Sequence, residues 1–264
     1  MFAALHGDLV PHAWRDPGSE HDAYQLFHQR SLAMSWLDGT GTDDTGTGAP
    51  GLWAMNDAGW DHPLAAPGTE LVSWFQVEAG AMPGDRPLPV RPFLRCAEDT
   101  TARVGTLRLS AVQILMPVDG LDASSRPPYA IVPSMHTADW FAERDPRART
   151  PVEVGVSSGR DPSLPAAAKH LADNLGRLDQ DVFVCESYDV TGRGGTDAPP
   201  PPRRSTTASG TARLCRAWCC AENSPSGRAT RSAGWLAEVV ADSAARLGVR
   251  TPLLLTVRPA PSTG

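Results

Sequence analysis

Strand and helix periods alternate through the last third of this 264-residue chain, and that alternation predicts a mixed α+β fold. Val152, Val154 and Val156 recur at every second residue, as a half-buried strand requires. Leu164, Ala168, Leu171, Leu175 and Leu178 return to one face of a helix that Ser163 caps, and residues 182–185 supply a second strand. Further on, Trp235, Leu236, Val239, Val240, Ala244 and Leu247 mark another amphipathic helix. Gly248 stands where a helix carboxyl-terminal glycine belongs, and residues 253–257 read as a buried strand.

That order is a ferredoxin-like split β-α-β module with one strand lost or replaced by a loop. The expected organisation is such a module over residues 150–264, interrupted by a disordered 197–232 segment, behind a loop-rich α+β region over residues 1–149. In that first region a helix begins at Ser19, with Asp22 three residues on, and Tyr24, Leu26, Phe27, Ala33, Met34 and Leu37 recur near a 3.6 period until Gly39 stops it. Residues 39–48, GTGTDDTGTG, have no side chain able to fill a core and predict a flexible loop, with Trp53 and Trp60 as its anchors. Residues 71–77 read as extended, 83–92 as a proline-studded link, and 104–116 as a strand with one alternating, half-buried part. A short strand is expected at 129–132 and one or two helical turns at 137–144.

Composition narrows the function classes. Twenty-four basic against 30 acidic residues give a net charge of −6, which excludes a generally basic nucleic-acid binder. Leu, Ile, Val and Phe number 50 and Gly plus Pro 49, so a thin core and long loops are expected. No run of 18 apolar residues spans a bilayer, and no basic start precedes an apolar stretch; a soluble, cytoplasmic chain is the expectation. Lys169 is the only lysine and isoleucine occurs only at Ile114 and Ile131, a bias that follows GC-rich codons of the actinobacterial kind. The five cysteines, an odd number without CxxC spacing, predict free thiols.

Residues 203–234 stand apart, rich in Arg, Ser, Thr and Cys without strand or helix period. Two readings are open. The stretch is a true linker, or it is a GC-rich gene segment translated out of frame; one choice of codons shifted by one base yields an alternating RVVLRGEL strand. On the second reading the sheet lacks a strand and the chain is marginally stable or aggregates.

Several constellations invite chemistry. Gly155, Ser157 and Gly159 spell GxSxG after a strand, the spacing of an exposed serine nucleophile. Pro162 and Pro165 delay the helix, however, and the only later imidazole, His170, lies inside it. The milder expectation is an anion site at Ser157, Ser158, Gly159, Arg160 and Ser163, set before a helix amino terminus whose amides favour phosphate or carboxylate; an ordinary capped turn is its bland counterpart. Four of the seven histidines fall in the first 28 residues, but His21 and His28 are nearly two helical turns apart, so solvated surface histidines rather than a metal site are expected. Asp61 with His62, and His136 with Asp139, are candidate acid–base pairs that chance also produces. Gly192, Gly194 and Gly195 lack a following helix, and Cys215, Cys219 and Cys220 are half a metal site without its other half.

No cofactor is implied. The expected function is a non-catalytic ligand-binding or assembly module, with homo-oligomers forming through a sheet face or edge. The alternatives are an enzyme acting on a small phosphorylated or carboxylated metabolite at the 157–163 loop, and a product without activity.

Overall fold

The computed structural model describes residues 1–15, 22–38, 51–60, 70–80, 86–121, 150–177, 183–191, 211–219 and 227–260. At 150, 184, 186–187, 191, 211–219 and 227–229 it describes the backbone alone.

The first half runs β1 (Phe2–Pro11), α1 (Ala23–Ala33), β2 (Trp53–Trp60), β3 (Leu71–Ala79), α2 (Val90–Ala102) and β4 (Gly105–Met116). The second runs β5 (Thr150–Ser157), α3 (Ser163–Gly176), β6 (Phe183–Thr191), β7 (Thr211–Cys219), α4 (Gly227–Arg246) and β8 (Leu253–Pro259). The fold is mixed α+β, with the strands in one antiparallel sheet ordered β2-β3-β1-β4-β8-β5-β7-β6. Read outward from its centre, each half places its own fourth, first, third and second strands in turn.

The core lies on one face of the sheet. Ala3 and Leu5 of β1, Val112 and Ile114 of β4, Val154 and Val156 of β5, and Leu253 and Leu255 of β8 are buried there with Phe27, Phe93, Leu171 and Trp235 from the four helices. At the seam between the halves, β4 pairs with β8 from Val112↔Val257 to Met116↔Leu253, and α2 packs on α4. Gly234 permits this approach: a Cβ there would sit 3.1 Å from the Arg91 Cα.

The first region holds four strands and two helices among the described residues, and several individual elements differ from expectation. β1 was not foreseen because Phe2–Leu5 is a continuous apolar run without alternation, followed by Gly7 and Asp8; it forms because β3 and β4 pair it on both sides. Its pairing with β4 slips between His6 and Gly7, where Gly7 adopts φ 150° and a Cβ would meet the Arg108 carbonyl oxygen. α2 begins inside the proline-studded link: Pro92 falls in the first helical turn, where its missing N–H costs no helical bond. Trp53 lies wholly buried in β2, its ring 6.3 Å from Phe27, 6.0 Å from Phe93 and 5.6 Å from Trp36. The cap of α1 is Asp22 rather than Ser19, its carboxylate accepting the Tyr24 amide at 2.9 Å, and the helix ends at Ala33, before the Gly39 expected to stop it.

The stretch expected to be a loop contains β7, registered on β5 from Thr150↔Cys219 to Ser157↔Thr211 and paired on its other side with β6. No strand is therefore missing from the second half. Flanking strands supply partners to backbone N–H and C=O groups whatever the side-chain pattern, which is why periodicity did not reveal β7. The expected β5 and β8 strands are adjacent in the same sheet. The strand expected at 129–132, the turns at 137–144 and the 39–48 loop lie outside the described residues.

Candidate functional site on the helix-free face of the sheet

Strand alternation assigns the opposite face, which is helix-free in that none of the four helices among the described residues packs on it. Because Ala3, Leu5, Val112 and Ile114 point to the helices, Phe2, Ala4, His6, Gln113 and Leu115 point away; on β8 and β5 the same holds for Leu254, Thr256, Glu153, Gly155 and Ser157. Register then lines residues up across four strands. One row runs Phe2, Leu115, Leu254, Ser157. The next runs Ala4, Gln113, Thr256, Gly155. The first is apolar until Ser157; the second carries small and hydrogen-bonding groups. Trp74 of β3 closes one end, its ring stacked on Phe2 with centroids 6.1 Å apart. Glu153 and Arg258 form an ion pair near the other end, with Nη2 3.0 Å and Nε 3.1 Å from Oε2.

Beside the polar row, His6 Nε2 lies 3.0 Å from Gln113 Oε1, and His6 is only 2% exposed. With that oxygen as acceptor, Nε2 carries the proton and Nδ1 presents a bare lone pair. Nδ1 has no hydrogen-bond partner among the described residues. Burial lowers the proton affinity of the ring, the Gln113 bond opposing it, so the imidazole is held towards its neutral form. The arrangement places a hydrogen-bond acceptor, an amide and a hydroxyl alongside an apolar strip, but Ala4, His6, Gln113 and Leu254 are buried, and Phe2, Leu115, Gly155, Ser157 and Thr256 are half-buried.

His6 corrects the expectation that the early histidines are solvated. His12 Nε2 is 2.8 Å from the Ala102 carbonyl oxygen and its ring stacks on Trp14, while His28 stacks on Tyr24; His21 lies outside the described residues. The alternation of Ala3 and Leu5 with Ala4 and His6 was the available signal, weak because three of the four residues around His6 are small or apolar.

The residues singled out at 157–163 do come together, as a turn bonded to itself. Ser157 Oγ accepts the Gly159 amide at 3.2 Å, Ser158 Oγ donates to the Asp161 carbonyl at 2.8 Å, and Gly159 takes the left-handed φ of 66°. Ser163 is not the cap of α3 but its first residue; its amide donates to Asp161 Oδ1 at 2.8 Å. That bond, with the Ser163 and Thr251 hydroxyls beside the carboxylate, holds the Asp161 proton affinity below the usual aspartate range. A carboxylate of the chain thus takes an amide that an anion would use. Arg160 is exposed, and so is His170 on α3. Ser157 itself belongs to the helix-free face through its register with Leu254.

Cys96 is a buried free thiol whose pKa burial pushes up to about 12. Cys185 is disulfide-bonded, against the expectation of free thiols throughout. Asp61, His62, His136, Asp139, Gly192, Gly194, Gly195 and Cys220 lie outside the described residues, and of Cys215 and Cys219 only the backbone on β7 is described. Among the described residues no three His, Cys, Asp or Glu side chains are grouped to hold a metal ion, and no helix is long and apolar enough to cross a membrane. No family model matches this chain, and neither a curated protein nor a solved structure matches it.

Proposed function

We propose that the protein is a non-catalytic ligand-binding or assembly module whose ligand seats on the helix-free face across β1, β4, β8 and β5. The observation that carries this reading is the pair of registered rows, Phe2–Leu115–Leu254 beside Ala4–Gln113–Thr256, flanked by the buried His6 acceptor. On this reading each half is a ferredoxin-like split β-α-β unit, supported by the strand order the two halves share. Units of this kind commonly leave one sheet face for effectors or pairing, which is an analogy from fold. The same reading keeps an out-of-frame origin for residues 203–234 as a proposal about the gene; an alternate frame broken by stop codons in the coding DNA rejects it.

The test is amide chemical-shift mapping on the full chain with a panel of small amphipathic compounds bearing hydroxyl, amide or carboxylate groups. Shifts concentrated at Phe2, His6, Gln113 and Thr256, without turnover, support the proposal. Shifts confined to residues 157–163, or turnover lost in Ser157→Ala, overturn it in favour of an enzyme on a small anion.

A further inference from the structure

We infer that the two halves are copies of one unit, and that the surface formed by α2 and β4 is an isologous interface that fits a second copy of that unit. Three observations at the seam carry this.

The first is sequence. α2 contains Arg91, Ala97 and Glu98; α4 contains Arg231, Ala237 and Glu238. Both helices thus spell Arg-x5-Ala-Glu, each residue displaced from its counterpart by 140 positions.

The second is contact geometry. Arg91 of α2 meets Glu238 of α4: its amide donates to Oε1 at 2.9 Å and its Nε to Oε2 at 2.7 Å. Glu98, seven residues further along α2, meets the start of α4 instead, accepting the Thr230 hydroxyl at 2.7 Å. The two helices therefore run antiparallel, crossing near Leu94 and Gly234. A two-fold axis at that crossing turns Arg91 facing Glu238 into Arg231 facing Glu98. On that side of the crossing the direct contact to Glu98 is the Thr230 hydroxyl, one residue before Arg231, and the Arg231 charge is the smallest of those acting on the carboxyl, after Thr230, Arg95 and Asp99. The crossing is reciprocal in position, Arg91 against Glu238 on one side and the start of α4 against Glu98 on the other, as an isologous contact requires, while the direct ion pair is Arg91–Glu238.

The third is the sheet. The middle pair of the β4–β8 ladder is Ile114↔Leu255, a displacement of 141, one residue from that of the helices. A single axis through the ladder centre and the helix crossing accounts for both. It also maps the first half's strand order onto the second's. The pseudo-symmetry is broken on the helix-free face, where that axis relates Gln113 to Leu254 and Leu115 to Thr256.

The experiment is a set of double-mutant cycles on the full chain, read by urea denaturation. Arg91→Ala with Glu238→Gln, and Arg231→Ala with Glu98→Gln, are expected to be non-additive, each double less destabilised than its two singles together. The same-helix combinations, Arg91→Ala with Glu98→Gln and Arg231→Ala with Glu238→Gln, are expected to add. Additivity for Arg231 with Glu98, or equal coupling within one helix, overturns the reciprocal seam. The fit to a second copy is read separately, by co-refolding a chain carrying Arg91→Glu and Glu98→Arg with one carrying Arg231→Glu and Glu238→Arg. Each alone sets like charges across its seam, whereas two exchanged chains restore opposite charges at both. A species of doubled mass in the mixture and in neither chain alone supports the interface; a mixture that stays monomeric overturns it.

Discussion

Glu238 of α4 caps the amino end of α2: its carboxylate accepts both the Arg91 amide and the Arg91 guanidinium, while the cap position itself, Pro89, makes no side-chain bond. A helix that lacks a local cap is thereby completed by the other half of the chain. The carboxylate is 2% exposed, and burial, outweighing Arg91, pushes its pKa up to about 7. Asp242 adds to the upward shift.

This sets a pH dependence with a definite sign. A folded-state value above the ordinary 4.5 means that the folded chain holds the proton more tightly than the unfolded one. The associated stability is complete below the unfolded value and is lost as pH rises through about 7. Glu98, also raised by burial, acts in the same direction. Thermal melts between pH 5 and pH 8.5 are expected to fall more steeply for the native chain than for Glu238→Gln; parallel slopes would contradict the assignment.

Asp161 carries the opposite sign. Its proton affinity is lowered, chiefly by the Ser163 amide, so its contribution is present above the usual aspartate value of 3.8 and is lost as pH falls through the lower folded value. Asp161→Ala is expected to cost about 1 kcal/mol at neutral pH, as cap removals do, and less in strong acid. Urea midpoints at pH 7 and pH 2.5 measure the difference.

The aromatic cluster predicts where truncation hurts most. Phe27 is fully buried, with Phe75 at 4.8 Å and Phe93 at 5.9 Å between ring centroids. Phe27→Ala is expected to lose about 3–5 kcal/mol through lost burial and a cavity. Trp14→Ala, at a residue 71% exposed, should stay within about 0.5 kcal/mol of the native chain. Equal losses would mean that the core is misplaced.

Cys96 should be chemically silent. Its Sγ is held by Ser31 Oγ at 3.3 Å, and its raised pKa leaves almost no thiolate near neutrality. Alkylation at pH 8 followed by peptide mass analysis is expected to leave Cys96 unmodified in the folded chain and to label it in guanidinium.

What the sequence disclosed follows from how each element is stabilised. β5, α3, α4 and β8 bury one regular apolar stripe each, so Val152, Val154 and Val156 or Leu164, Leu171 and Leu175 declared them. β1, β2 and β7 depend instead on backbone partners on neighbouring strands, which no local pattern reports. α2 was hidden by Pro92, although Val90, Phe93, Leu94, Ala97 and Thr101 keep a helical spacing. The candidate site was less legible still. His6 and Gln113 are 107 positions apart and become neighbours only through the β1–β4 register. Ser157 was visible as part of GxSxG, but its place on the helix-free face comes from pairing with β8.

The central claim is that the two halves form one sheet through β4 and β8 in a single register. Cross-strand nuclear Overhauser contacts on the isotope-labelled full chain test it most directly. Backbone contacts from Ile114 to Leu255 and from Val112 to Val257 are the predicted result; contacts from β4 to any strand other than β1 and β8, or none between Ile114 and Leu255, would contradict it.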